Sequence, residues 1–328
     1  MSLRRALRYA RACAFEWSGA SRRARAQLDG SRAAVLMYHR VLPVAEAARL
    51  AVEPGMVVTP ETFARHLDWL ASDFRVLPAH EIVERLAQSR PLPDGACAIT
   101  FDDGWRDNHD FALPELARHG FPATIFVVTE RVGTDGSFWP DEVCRRMAAL
   151  PESAQRELLV MVGAPSRGGD PIEALLAHLK RLPEDIREPA LERVRAASPD
   201  PATGTRELLD WSEVDALARA GFDVEAHGAT HAILTGVAPA RAQRELLSAR
   251  EQLREHGHGC RGLLAYPSGA HDATVHRLAR EAGYAAAFTT EPGLASAASD
   301  RLALPRVGLH DDISRTRVEF RRAVPGRA

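Results

Sequence analysis

Short apolar segments alternate with helical patterns through most of the chain, and this order constrains the fold more than any other feature. The segments are apolar on both faces and often β-branched, which is typical of buried parallel strands. The predicted strands are residues 33–38, 74–77, 96–101, 123–128, 222–226, 262–266, 285–290 and 306–309. The predicted helices are residues 60–71, 79–88, 107–119, 211–220, 239–256 and 272–282. Such alternation indicates an α/β protein with a parallel sheet, and seven or eight units favour a (β/α) barrel.

Two stretches fall outside this alternation. Residues 135–205 have no strand pattern but several short helical segments broken by Gly and Pro, which predicts a helical insertion between two strands of one barrel domain, residues 33–328. Residues 1–32 are a basic lead-in in which arginines interrupt every apolar stretch. A secretory signal needs about 7–15 uninterrupted apolar residues, so we expect a cytoplasmic protein. We expect the lead-in to be solvated and helical or frayed, with contact to anionic lipid or a partner as the alternative.

Charge, hydropathy and cysteine usage exclude several classes of function. The 42 Lys and Arg residues against 44 Asp and Glu residues leave a net charge of −2, which argues against a nucleic-acid-binding protein. No apolar run approaches the roughly 20 residues of a membrane-spanning helix, so we expect no integral membrane segment. The four cysteines stand singly, at Cys13, Cys97, Cys144 and Cys260, and predict neither a disulfide framework nor a thiolate zinc site.

Charged residues follow two predicted strands at their carboxyl ends, where barrel enzymes place their active sites. Asp102 and Asp103 come directly after strand 96–101, and adjacent buried carboxylates are costly unless their charge is used. His227 and His231 come after strand 222–226. Each motif alone fits an ordinary loop. Two imidazoles beside one carboxylate, however, make a three-ligand set with open coordination positions, which is typical of a catalytic metal site.

A third motif, Ala265-Tyr-Pro-Ser-Gly269, also follows a predicted strand. Proline and glycine punctuate any loop, so a plain turn is one reading. The functional reading is a backbone N–H at Ser268 that faces the mouth of the barrel as an oxyanion donor.

The three motifs, in this order, resemble those of the polysaccharide deacetylase family (NodB-homology, carbohydrate esterase family 4). The resemblance covers roughly residues 33–310 and is poor in the insertion. It implies a distorted (β/α)7 barrel that removes N-acetyl groups from GlcNAc-type amino sugars in a polysaccharide or glycan precursor. It also implies a divalent metal, zinc first, with cobalt or nickel as alternatives. Hydrolysis of another amide or imide bond, and a non-catalytic carbohydrate-binding relative, remain open as alternative functions.

The resemblance assigns a role to each motif residue. Asp103, His227 and His231 hold the metal, and Asp102 is the general base. The backbone N–H of Ser268 stabilises the oxyanion. A non-catalytic binder has no reason to keep a base beside all three ligands, which favours the enzyme.

Two departures from the family pattern concern the remaining catalytic groups. The third motif usually begins with an arginine that orients the base, and Ala265 stands there; Arg306 is the candidate replacement. The late Leu-x-His motif that carries the general acid is out of register at Gly308-Leu-His310. Met37-Tyr-His-Arg-Val41 instead resembles the Tyr-His-x-Val opening of exopolysaccharide-locus deacetylases, whose histidine is the acid. We therefore expect His39 as the acid, with His310 as the alternative, and a role in exopolysaccharide biosynthesis.

Two residues near the first aspartate motif have structural interpretations. Asp107 is predicted to be the N-cap of the helix that follows. Trp105 is predicted either to stack on a sugar ring or to pack in the protein interior.

Overall fold

A computed structural model describes residues 3–166, 168–198 and 204–324. The strands are β1 (Arg32–Tyr38), β2 (Arg40–Val41), β3 (Val57–Val58), β4 (Arg75–Val76), β5 (Ala96–Phe101), β6 (Ala123–Val127), β7 (Phe222–Ala226), β8 (Leu263–Ala265), β9 (Ala286–Pro292), β10 (Ala295–Ser296) and β11 (Leu304–Gly308). The helices before the insertion are α1 (Leu3–Trp17), α2 (Ala20–Arg25), α3 (Val44–Leu50), α4 (Pro60–Asp73), α5 (Ala79–Ala87) and α6 (Leu113–His119). The remaining helices are α7 (Trp139–Ala148), α8 (Glu152–Met161), α9 (Pro171–Leu179), α10 (Glu184–Ala197), α11 (Trp211–Arg219), α12 (Pro239–Glu255), α13 (Ala273–Glu281), α14 (Asp311–Ser314) and α15 (Arg317–Ala323).

Seven parallel strands close into a barrel in the order β1, β5, β6, β7, β8, β9, β11. The barrel closes where β11 pairs with β1, with Leu36 opposite Val307. Outside the ring, β4 pairs with β5, β10 runs antiparallel to β1, and β2 and β3 form a separate two-stranded sheet. The predicted (β/α)7 barrel is therefore confirmed.

Side-chain alternation along the strands determines what faces the barrel interior. The residues of one face pack into a common cluster that includes Ala96 and Ala98 of β5 and Leu304 of β11. Because successive side chains of a strand point to opposite faces, Asp102 and Arg306 continue these inward-facing rows. Two buried charges of opposite sign thus meet at the carboxyl end of the barrel interior.

The helix termini follow the chemistry of the sequence. Thr59 caps α4 by accepting a hydrogen bond from the backbone N–H of Thr62, and Asp210 forms a capping box with Glu213 at α11. The predicted helix over 107–119 is divided into a π-helical turn, Asn108–Ala112, and α6. The prediction that Asp107 caps this helix is wrong, because its carboxylate makes no capping hydrogen bond and instead accepts from Arg40 and Val41.

The stretch between β6 and α11 is helical and contributes α7 to α10. These helices share an apolar cluster of their own, which includes Val143, Met147, Leu158, Leu175 and Leu191. The insertion also reaches the barrel, because Lys180 at the end of α9 forms an ion pair with Glu53 in the loop before β3. It therefore stands beside the carboxyl ends of the strands.

Helix α1 of the basic lead-in packs against α15, the last helix of the described chain. Ala12 of α1 is buried, and Arg321 of α15 contacts Glu16 at 2.7 Å. Helices α1 and α15 therefore lie against each other, although the lead-in was predicted to be solvated. Within the three described ranges, no helix is both long and apolar enough to cross a membrane.

Candidate active site

Three residues from two strand ends converge at the carboxyl end of the barrel. Oδ1 of Asp103, after β5, lies 3.2 Å from Nε2 of His227 and 3.4 Å from Nε2 of His231, both after β7. Potential ligand atoms of all three residues lie within 4.8 Å of one another. The parallel pairing of β5 with β6, and of β6 with β7, aligns these strand ends, so the structure brings the predicted ligand set together.

The backbone around this cluster is held in an uncommon conformation. Asp103, His231 and Ser268 have φ values of 78°, 70° and 56°, in the left-handed region that non-glycine residues rarely occupy. Such strain concentrates where the surrounding structure fixes a functional geometry. The turn after Ser268 also requires glycine, because a Cβ at Gly269 would lie 2.2 Å from Oγ1 of Thr290.

Hydrogen bonds outside the cluster orient two of its members. His227 Nδ1 donates to the carbonyl of Ala265 at 2.8 Å, which fixes the orientation of the ring and directs Nε2 at Asp103. The indole N–H of Trp105 donates to the other oxygen of Asp103 at 2.9 Å. Metal-binding histidines and carboxylates are typically held in this way.

The donor set fits a divalent metal of the zinc type. Two imidazole nitrogens and one carboxylate are the mixed ligands that such ions take in hydrolases, and three ligands leave positions open. Although burial raises the pKa of Asp103, hydrogen bonds with His227 and His231 hold it well below its ordinary value, so its oxygens are charged. These residues therefore satisfy the requirements for ligands.

Asp102 forms a bidentate ion pair with Arg306. The two guanidinium nitrogens lie 2.7 and 2.6 Å from the two carboxylate oxygens, and both side chains are almost completely buried. Arg306 also donates to the carbonyl of Thr289 and to the hydroxyl of Thr100. Burial raises the pKa of Asp102, but the guanidinium outweighs it and holds the pKa below the ordinary value. The carboxylate is therefore charged and fixed in orientation.

The two candidate acids line the same cleft but have different surroundings. His39 Nε2 lies 3.9 Å from Oδ2 of Asp102, and its backbone carbonyl accepts from Asn108 at 2.8 Å. His310, at the start of α14, has Nδ1 3.3 Å from the carboxylate of Asp312. The structure therefore brings His39, but not His310, beside the predicted base.

A buried charge network behind the cluster was not found from the sequence. The Arg40 guanidinium lies 3.9 Å above the Trp105 ring and bonds Asp107 at 2.8 Å and Glu207 at 2.7 Å. Burial raises the pKa of Asp107 to about 6, despite the attraction of Arg40. Because Trp105 in turn holds Asp103, the network supports the candidate metal ligands from behind.

The cluster opens into a cleft of about 400 Å³. The insertion contributes Phe138, Asp141 and Lys180 to the lining of this cleft, and Ser268 and His310 also line it. Asp141 is only 6% exposed, and burial raises its pKa to about 7. The volume and the mixed polar and apolar lining suit a small ligand such as a sugar unit.

Fold and site together define a class of protein: a seven-stranded parallel barrel with a two-histidine, one-aspartate cluster beside an arginine-held carboxylate at its mouth. Residues 89–287 match the family described as polysaccharide deacetylase. The chain belongs to this family, and the resemblance predicted from the motifs is confirmed.

Individual relatives are distant in sequence but similar in fold. The chain is 22% identical over 281 residues to YxkH of Bacillus subtilis (strain 168), which is provisionally named a polysaccharide deacetylase. This match covers 85% of the chain and 72% of YxkH. The Streptococcus pyogenes deacetylase PplD superposes with a TM-score of 0.58 at 19% identity, over 87% of this chain and 95% of that one. IcaB from Ammonifex degensii superposes with a TM-score of 0.58 at 18% identity, over 89% and 97%.

Proposed function

We propose that the protein is a metal-dependent hydrolase that removes the N-acetyl group from a GlcNAc-type amino sugar in a polysaccharide or glycan precursor. The observation that carries the proposal is that a candidate base and a candidate metal site lie side by side in one cleft. A buried carboxylate, Asp102, is held charged by Arg306 directly beside a set of three potential metal ligands. Amide hydrolysis needs both a base and an electrophilic centre at such a position.

Asp103, His227 and His231 would hold the ion, with zinc as the first choice and cobalt or nickel as alternatives. When bound, a divalent metal supplies Lewis-acid activation of water and of the acetyl carbonyl. The mixed nitrogen and oxygen donors support this assignment.

The protein's own groups would move the protons. Asp102 accepts a proton from the attacking water, because its ion pair keeps it charged and oriented. His39, which lines the same cleft, would donate a proton to the leaving amine. The backbone N–H of Ser268, a residue that lines the cleft, would stabilise negative charge on the former carbonyl oxygen.

Acetate release from N-acetylglucosamine oligomers tests the proposal. We expect turnover that is lost after chelation and regained with Zn²⁺ or Co²⁺. If the metal-loaded protein releases no acetate but opens a cyclic amide or imide, that alternative hydrolase function replaces the proposal. If it binds these oligomers without releasing acetate, the non-catalytic alternative replaces it.

The setting of the reaction is a further part of the proposal. The Tyr38-His39 motif supports a role in exopolysaccharide biosynthesis, with a glycan or glycan precursor as substrate. A cytoplasmic location stays a prediction. Cell fractionation tests it, since activity found mainly in the periplasm or medium would contradict it.

A further inference from the structure

The outward face of helix α1 carries large apolar side chains that the fold leaves exposed. Leu7 is 52% exposed and Trp17 is 95% exposed, and Ala10 and Ala14 between them are exposed as well. These four residues recur every three or four positions, so they form one stripe along the helix, which we call the α1 stripe. Within the part of the chain that the structure describes, no other large apolar side chain is as exposed as Trp17.

The opposite face of α1 fixes the helix on the barrel domain. Arg8, Ala12 and Glu16 are spaced four residues apart and therefore share this face. Ala12 is buried, Glu16 forms an ion pair with Arg321 of α15 at 2.7 Å, and Arg8 donates to the backbone carbonyl of Asp312 at 3.3 Å. The α1 stripe therefore points away from the domain, and a partner that binds it is held against the domain.

Positive charge surrounds the α1 stripe. Residues 1–28 contain seven arginines and no lysine, against one acid, Glu16, which is already engaged with α15. Arg11 lies beside the stripe and is exposed. A Cβ at Gly19 would lie 3.7 Å from a guanidinium nitrogen of Arg22 and of Arg23, so both of these groups stand close to the end of α1 that carries Trp17. The exposed surface of α1 and α2 is therefore apolar and basic together.

This combination matches an anionic lipid surface. A basic amphipathic helix lies in the interface of a bilayer, where its apolar residues enter the boundary of the acyl chains and its cations face the lipid headgroups. Tryptophan in particular favours this interface. A second copy of the same face would instead bring two clusters of arginines together, and like charges repel. Charge complementarity therefore favours a membrane over self-association.

We propose that the α1 stripe, together with the arginines beside it, binds the surface of an anionic lipid membrane. The helix would lie in the plane of the interface and would not cross the bilayer. The contact of Arg8 with Asp312 lies two residues beyond His310, which lines the catalytic cleft. Membrane binding through α1 would therefore hold the catalytic cleft close to the membrane surface. This inference does not depend on the proposed hydrolase function.

Co-sedimentation of the full chain with lipid vesicles tests the inference. The vesicles consist of phosphatidylcholine alone or of phosphatidylcholine mixed with phosphatidylserine. We expect binding to the vesicles that contain phosphatidylserine only, and weaker binding as salt is added. The difference in fluorescence emission between the wild type and Trp17→Phe reports on Trp17, and this emission should move to shorter wavelength when the anionic vesicles are added.

Single substitutions separate the contribution of charge from that of apolar contact. Arg11→Gln and Arg23→Gln should each lower the partition constant for the anionic vesicles about fivefold, since one basic residue is lost near the surface. Leu7→Gln and Trp17→Gln should each lower it about tenfold or more, because an apolar side chain no longer leaves water on binding.

Helix α12 provides matched controls, because it also exposes an arginine and a leucine three residues apart, Arg244 and Leu247. Arg244→Gln and Leu247→Gln should leave vesicle binding unchanged, and thermal unfolding shows whether each variant keeps its fold. The inference is wrong if the chain binds no anionic vesicles at low salt, binds phosphatidylcholine alone equally well, or is weakened no more by the α1 and α2 substitutions than by the controls. Self-association that Trp17→Gln abolishes, without vesicle binding, would show that a second copy covers the stripe.

Discussion

Replacing Arg306 with methionine is the perturbation whose consequences follow most directly from the structure. Arg306 is completely buried and bonds both oxygens of Asp102 at 2.7 and 2.6 Å. Arg306→Met leaves that carboxylate buried without its counter-charge, and breaking one partner of a buried pair costs about 3–5 kcal/mol. Methionine retains apolar contact in the barrel interior, so the loss reports the charge more than the volume.

The same substitution should change the pH dependence of catalysis. In the wild type, Arg306 outweighs burial and holds the pKa of Asp102 below its ordinary value, so the base stays charged down to low pH. Without the guanidinium, burial raises this pKa. As the solution is acidified, kcat/KM should therefore begin to fall at a higher pH than in the wild type. The acid limb should move up by more than one pH unit, since one unit corresponds to about 1.4 kcal/mol. Metal content should be unchanged.

A double-mutant cycle and the pH profile together test this reasoning. The free energy of unfolding in urea is measured for Arg306→Met, Asp102→Asn and the double variant. We expect the stability loss of the double variant to be smaller than the sum of the two single losses by about 2 kcal/mol or more. Arg306→Lys, which keeps the charge but not the paired donors, should give an intermediate acid limb. Additive losses together with an unmoved acid limb would refute the ion-pair argument.

Three further predictions concern the acid, a ligand and a buried histidine. His39→Ala should lower kcat about 100-fold or more without loss of metal, whereas His310→Ala should have a much smaller effect; the reverse order in acetate-release assays would show that His310 is the acid. Trp105→Phe removes the indole N–H that orients Asp103 and should weaken metal affinity about 10- to 100-fold in a chelator competition, while unchanged affinity would exclude this positioning role. Burial lowers the pKa of His66 to about 4 despite its hydrogen bond to a backbone carbonyl, so the unfolded chain binds a proton there before the folded protein does. The free energy of unfolding, measured in urea titrations, should therefore fall by roughly 3 kcal/mol between pH 6.5 and 4. If the free energy of unfolding of His66→Gln falls as steeply with pH, the loss belongs to other groups.

The sequence predicted the parts of the fold that depend on local pattern. Buried parallel strands are continuous apolar runs, and the predicted strand over 96–101 matches β5 in both bounds. The predicted helices over 60–71 and 211–220 likewise begin at the first residues of α4 and α11, which Thr59 and Asp210 cap. The short strands β2, β3 and β10 escaped prediction because each contains two residues and has no periodicity of its own.

Tertiary partners explain what the sequence could not predict around the site. Asp107 occupies a position that suits a helix cap, but the buried guanidinium of Arg40 requires a counter-charge and takes its carboxylate. The second partner of Arg40, Glu207, is 167 residues away in sequence and follows the insertion. Nothing in the local pattern marks such a pair. Arg306 was a candidate partner for the base from the sequence, but its approach to Asp102 depends on closure of the barrel between β11 and β1, which local pattern does not show.

The central claim is that Asp103 binds the metal whereas the adjacent Asp102 accepts the proton. Metal analysis of four variants tests this claim most directly. Bound zinc is measured by elemental analysis, alongside acetate release, in Asp103→Ala, His227→Ala, His231→Ala and Asp102→Asn. The three ligand variants should each lose the metal and the activity. Asp102→Asn should retain about one zinc per chain and lose turnover, because it lacks only the proton acceptor. A metal-free Asp102→Asn protein, or a ligand variant that keeps both zinc and activity, would contradict the account.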